Sequence, residues 1–124
     1  MGPEDPASPA PGIAAVMVHV PDPLQGLHWY AAAFPQARLT RLDEQDFEFL
    51  ALGALRIEVV RSDEKVASGA AGSVVYWQVA DFDRSLQHLL GLGASLYRGP
   101  MAIEGGQRMC QLRDPWGNCP GIRG

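Results

Sequence analysis

The sequence lacks several features that whole classes of protein require. No apolar run approaches the roughly 20 residues of a membrane-spanning helix. Lysine and arginine total 10 against 14 aspartates and glutamates, and no basic stripe exists to neutralise phosphates. Only two cysteines occur, Cys110 and Cys119, which fits a reducing compartment and free thiols. We therefore expect neither a membrane nor a nucleic acid as a partner.

The first twelve residues, MGPEDPASPAPG, contain four prolines and lack both the basic start and the hydrophobic stretch of a signal peptide. We expect residues 1–12 to form a disordered leader and the protein to be cytoplasmic. Residues 13–124 are enough for a single domain with a substantial core.

The stretch from Ser73 to Gly93 predicts a strand, a tight turn and an amphipathic helix. Ser73–Val79 is rich in β-branched and aromatic residues, which favour strands. Asp81 is placed to cap the helix that follows, and Gly93 is suited to end it. The same plan occurs 59 residues earlier, because Ile13–Val20 matches the strand and Asp22 aligns with Asp81. The repeat indicates a duplicated half-domain.

Each half continues with three predicted strands, and together the halves define the fold class. The predicted strands are Ala37–Leu42, Phe47–Leu52, Ala54–Val60, Ser95–Arg98, Gln107–Arg113 and Asn118–Ile122. We expect an α+β fold of two βαβββ modules, residues 13–61 and 73–124, joined by a linker at residues 62–72. The modules would form a curved mixed eight-stranded sheet with the helices outside and a cleft inside.

Alternation along the first strand of each module separates an apolar face from a mixed face. The apolar faces are expected to pack on the helices, and the mixed faces to line the cleft. The predicted ligand-binding residues are Met17, His19, Arg56, Glu58, Tyr76, Gln78, Cys119 and Arg123.

The motifs VHVPDPLQGLHWY, LRIEVV, VADFDRSLQHLLGLGA and RDPWGN, in this order, resemble the vicinal oxygen chelate superfamily. That superfamily includes glyoxalase I, bleomycin-resistance proteins and extradiol dioxygenases. The resemblance implies paired βαβββ modules that often assemble as a dimer. It also implies a divalent metal in the metal-dependent members, held by His or Glu at four cleft positions. The matching positions here are Ala15, Glu58, Val74 and Gly121, of which only Glu58 can bind a metal.

Glu58 and His19 leave alternatives open. Glu58 lies in an apolar run and, if desolvated, would be a candidate general base; otherwise it pairs with Arg56 or His19. His19 could be a relocated metal ligand, an acid–base group or a hydrogen-bonding wall of the cleft. Tyr76 offers either a flat ligand-binding surface or a core contact.

The favoured hypothesis is a homodimeric protein of the glyoxalase/bleomycin-resistance type that binds a small organic molecule without a metal or other cofactor. The alternative is a lyase, isomerase or dioxygenase-like enzyme. It would use Glu58 as its base, or a relocated divalent metal site. A third hypothesis is a domain whose main role is association with a larger partner.

Overall fold

A computed structural model describes residues 15–70 and 74–124. The predicted leader, residues 1–12, lies outside the described residues. The first half contains β1 (Ala15–Val20), α1 (Pro23–Ala33), β2 (Arg38–Leu42), β3 (Phe47–Leu52) and β4 (Leu55–Arg61). The second half contains β5 (Val75–Gln78), α2 (Phe82–Gly91), β6 (Ser95–Ala102), β7 (Arg108–Arg113) and β8 (Pro120–Arg123).

Both helices begin at the aspartate that the sequence repeat indicates. Oδ1 of Asp22 accepts hydrogen bonds from the backbone N–H groups of Leu24 and Gln25, at 3.1 and 3.4 Å. Oδ1 of Asp81 accepts one from the N–H of Arg84 at 3.1 Å. These bonds satisfy donors that the first helical turn otherwise leaves free, so the two caps fix where α1 and α2 start.

The eight strands form two mixed sheets with the same topology. Their orders are β1-β4-β3-β2 and β5-β8-β7-β6, and in each sheet the first strand runs parallel to the fourth while the other pairs are antiparallel. The α+β fold of two βαβββ modules is therefore confirmed. The strands are hydrogen-bonded in two groups of four.

Helix α1 packs against both halves. The ring of Phe34, just after α1, stacks on Trp77 of β5 with 3.9 Å between the ring centroids. The indole N–H of Trp29 donates to the carbonyl of Leu92 at 2.9 Å. Buried side chains of both halves consequently form one hydrophobic cluster, which joins the modules.

Strand β6 is longer than the sequence pattern predicts. Gly99 and Pro100 predict a break after Arg98, whereas the strand continues to Ala102 with shifts in its register against β7. Since β6 is an edge strand, Pro100 can lie in it without removing a hydrogen bond that a neighbouring strand needs. Within the described ranges, neither helix is long and apolar enough to cross a membrane.

Candidate functional site

Each sheet has one face turned toward its helix and one face turned away. Val16, Val18 and Val20 belong to or pack against the core, so the alternate residues of β1 lie on the opposite side. In each sheet we call the side turned away from the helix the open face. The first open face belongs to the sheet that contains β1, and the second open face to the sheet that contains β5. Register places Met17 beside Glu58 on the first, and Tyr76 beside Gly121 on the second.

The first open face carries an arginine–carboxylate pair on an aromatic base. The guanidinium of Arg56 lies 4.2 Å from the ring centroid of Phe49 and 5.4 Å from that of Phe47. Its Nε is 3.5 Å from Oε2 of Glu58, whose side chain is only 14% exposed. Glu58 therefore pairs with Arg56, one of the two partners that the sequence suggests.

The second open face is built around the ring of Tyr76. Nε2 of Gln111 donates to the Tyr76 hydroxyl at 2.7 Å, and the Arg123 guanidinium lies 4.8 Å from the ring centroid. The ring lies directly over Gly121, because a Cβ added there would be 2.5 Å from both Cδ1 and Cε1. The thiol of Cys119 is 3.8 Å from Oε1 of Gln111. Residue 121 must be glycine for the ring to lie this close.

The residues at the four expected metal positions do not fit a divalent metal. Ala15 and Val74 have no donor atom, and the Tyr76 ring covers the place where a side chain at Gly121 would start. Glu58 alone supplies a carboxylate, whereas catalytic metals normally take about three protein ligands. Among residues 15–70 and 74–124, no cluster of three or more His, Cys, Asp or Glu side chains could hold a metal ion.

A cavity of about 240 Å³ lies between the edge strands β1 and β5. Three of the predicted ligand-binding residues line it: Met17, His19 and Cys119. The side-chain amide of Asn118 donates to the carbonyl of His19 at 2.9 Å, and Ser68 Oγ donates to the same oxygen at 2.6 Å. The first bond attaches β1 to the second half, and the second attaches it to the linker. The other predicted residues lie outside this cavity: Arg56, Glu58, Tyr76, Gln78 and Arg123.

Asp114 is a central residue whose contacts the sequence does not predict. It is 4% exposed and accepts hydrogen bonds from the backbone N–H groups of Trp116 and Asn118. Its Oδ2 also accepts from the hydroxyl of Tyr30, on α1, at 2.6 Å. Burial, with the charge of Asp114 added, raises the pKa of Tyr30 far above its usual range. The turn that begins at Asp114 is thus fixed to α1, beside the cavity.

Both cysteines are free and buried. Burial raises the pKa of the Cys110 thiol to about 11, and burial likewise raises the pKa of Cys119. Since the thiolate is the reactive form, neither residue is suited to act as a nucleophile near neutral pH.

No protein-family model matches the chain, and no curated protein matches its sequence. Solved structures do match its fold. TioX from Micromonospora sp. ML1 is 21% identical with a TM-score of 0.66, over 91% of this chain and 98% of that one. A glyoxalase/bleomycin resistance protein/dioxygenase family enzyme from Burkholderia phytofirmans PsJN is 17% identical with a TM-score of 0.70, over 89% and 95%.

The fosfomycin resistance protein FosX from Mesorhizobium loti is similar to the same degree. It is 18% identical with a TM-score of 0.68, over 90% of each chain. At such identities the likeness concerns the fold alone, and it extends over nearly the whole of both chains.

Proposed function

We propose that this chain, which has the fold of the vicinal oxygen chelate superfamily, binds a small organic molecule on its open faces without the metal of the superfamily. The observation that carries the proposal is the position of Tyr76 over Gly121. An aromatic ring occupies the space where a metal-dependent member would place its fourth ligand. The surface there is suited to an organic ring or chain rather than to a cation.

The composition of the two open faces supports the same function. The guanidinium of Arg56 lies over the ring of Phe49, and that of Arg123 lies over the ring of Tyr76, whose hydroxyl is bound by Gln111. Each open face thus combines aromatic carbon with polar donors. Small-molecule sites commonly combine an apolar surface with a few polar groups that fix orientation. The proteins of similar fold include a member of the glyoxalase/bleomycin resistance protein/dioxygenase family and a fosfomycin resistance protein, and bleomycin and fosfomycin are both small molecules.

The test combines metal retention with a ligand screen. Tag-free protein incubated with Mn, Fe, Co, Ni or Zn and then dialysed should retain far less than one equivalent per chain by mass spectrometry. A fragment screen read by protein NMR should give hits whose shifts cluster on the open faces. Those hits should weaken in Tyr76→Leu and persist in Leu24→Ala, which shortens an exposed side chain of α1. One retained equivalent that is lost in Glu58→Ala would contradict the proposal.

A second candidate function is catalysis with Glu58 as the base. It rests on a largely buried carboxylate that has one cation beside it, at 3.5 Å, and lies next to Met17 on an open face. If Glu58 acts as a catalytic base, the wild type will convert a ligand from the screen to product. Glu58→Gln will not convert it, although this variant folds as the wild type does. Equal conversion by both proteins would exclude this role.

The open faces also favour the expected homodimer. Met17 is 57% exposed on the edge strand β1, where it belongs to the first open face and leaves apolar surface uncovered. Covering this face with a second copy would bury Met17 and enclose the arginine–carboxylate pair. Sedimentation should therefore show a dimer that Met17→Asp weakens. A monomer at all concentrations, or a dimer indifferent to the change, would contradict this arrangement.

A further inference from the structure

The second sheet is cationic although the protein as a whole is acidic. Its four strands contain four arginines and no aspartate or glutamate, whereas the whole chain has a net charge of −4. The first sheet, by contrast, carries Glu48 and Glu58 among its arginines. A local positive potential in an acidic protein favours an anion at that place. The four arginines of the second sheet are Arg98, Arg108, Arg113 and Arg123.

Arg108 and Arg123 show how differently these charges are used. Nη2 of Arg108 lies 2.9 Å from Oδ2 of Asp83, and its guanidinium stacks on Phe82 of α2. Its charge is therefore neutralised on the helix side of the sheet. Arg123 forms no ion pair with any carboxylate in the part of the chain that the structure describes, and it stacks only on Tyr76.

Arg123 also has a buried donor without a partner. Its Nε is one of two buried side-chain nitrogen or oxygen atoms that lack a hydrogen bond among the described residues. The other is Nε of Arg56, but there a carboxylate oxygen of Glu58 stands 3.5 Å away. Leaving a buried donor unpaired is costly, and most so for a charged group. Of these two guanidinium groups, only that of Arg123 therefore has no carboxylate beside it among the described residues.

We infer that the second open face binds an organic anion, whose carboxylate or phosphate group is held by Arg123 and whose apolar part lies against Tyr76. This inference rests on the proposed function and names its ligand class. The planar guanidinium can donate two parallel hydrogen bonds to either anionic group. Gln111 holds the Tyr76 hydroxyl at 2.7 Å and so fixes the ring beside the guanidinium. An arginine thus supplies the positive charge at a face where the superfamily would use a metal.

The experiment uses three matched probes: benzoate, phenyl phosphate and the neutral benzamide. Each is titrated into isotope-labelled protein, and dissociation constants are taken from amide shifts on β5, β7 and β8. At least one anion should bind about 10-fold to 100-fold more tightly than benzamide, the ratio that one hydrogen bond to a charged group supplies. Added salt should weaken the anion and leave benzamide unchanged. The comparison of benzoate with phenyl phosphate decides which anionic group is preferred.

Three variants assign the preference to Arg123. Arg123→Gln should bind the anions no better than benzamide, and Arg123→Lys should retain part of the preference because it keeps the charge but not the planar fork. Arg84→Gln, which removes one exposed charge from α2, should behave as wild type. An unchanged preference in Arg123→Gln would overturn the inference.

The inference and the proposed function fail in different ways. If anions bind no better than benzamide while neutral fragments still bind and are lost in Tyr76→Leu, the anion inference is wrong and the proposed function stands. If neither the probes nor a neutral fragment binds at either open face, both are wrong.

Discussion

Gly121→Ala tests whether the Tyr76 ring determines the residue at this position. The added Cβ would lie 2.5 Å from two ring atoms and 3.2 Å from Cγ, so the ring must move. Moving it would disturb the 2.7 Å hydrogen bond with Gln111 and the stacking of Arg123. The change adds a single methyl group, so its effects follow from that contact and from the lower backbone entropy of alanine in the unfolded chain.

The expected loss of stability can be estimated from three contributions. Forcing a methyl group into a packed site costs about 1–3 kcal/mol. Losing the Tyr76–Gln111 hydrogen bond costs about 1 kcal/mol. Replacing glycine by alanine in a strand returns about 0.5–1 kcal/mol through backbone entropy. The net loss is about 1–3.5 kcal/mol, so the clash and the lost hydrogen bond together exceed the backbone gain.

Urea unfolding measures the coupling between positions 76 and 121 in four proteins: the wild type, Gly121→Ala, Tyr76→Ala and the double variant. In the background of Tyr76→Ala, the same Gly121→Ala change should stabilise by the backbone contribution alone, about 0.5–1 kcal/mol. The interaction free energy between the sites is then about 2–4 kcal/mol, the clash together with the hydrogen bond. Gly91→Ala is the control, since its Cβ would meet nothing within 4 Å, and it should stabilise by about 0.4–1 kcal/mol. If Gly121→Ala costs the same with and without the ring, the ring does not explain the glycine.

Three further predictions concern the core. Tyr30→Phe removes the 2.6 Å hydrogen bond to Asp114. It should lower the free energy of unfolding by about 1.5–3 kcal/mol in urea melts, because the bond is made to a charged group. No change would mean that water replaces the hydroxyl. Gly26→Ala puts a Cβ 2.7 Å from a methyl of Val20. It should lower the free energy of unfolding by about 1–2 kcal/mol in urea melts, although alanine favours helices over glycine. A stabilised variant would show that Val20 and β1 can move to accommodate the added methyl group. Burial raises the pKa of Cys110 to about 11, so the folded state keeps its proton where the unfolded state loses it, and the free energy of unfolding should fall as pH rises from about 9 to about 11. Urea melts across this range measure the fall, and Cys110→Ala should reduce it. An equal fall in wild type and Cys110→Ala would refute this.

Sequence patterns that span only a few residues were sufficient to predict the helices and strands. The strand Phe47–Leu52 has the predicted bounds, and Asp22 and Asp81 cap the helices that follow them. Caps and alternation depend on contacts two to four residues apart, so composition and spacing determine them. The sequence repeat likewise predicted two modules with the same strand order.

The sequence determined the faces of the strands, and only the tertiary structure decided what meets there. Alternation placed Tyr76 and Arg123 on one side of the sheet. It did not predict that the ring lies over Gly121, or that no carboxylate of the described residues pairs with the guanidinium. Tyr30 and Asp114 are 84 residues apart, and no local pattern connects them. The contact of Tyr30 with Asp114 depends on how α1 packs across both halves, and that of Tyr76 with Gly121 on how β5 pairs with β8. In both cases the burial of many side chains at once selects one arrangement. The sequence therefore determined the elements and their repeat, and packing between distant residues decided the chemistry of the open faces.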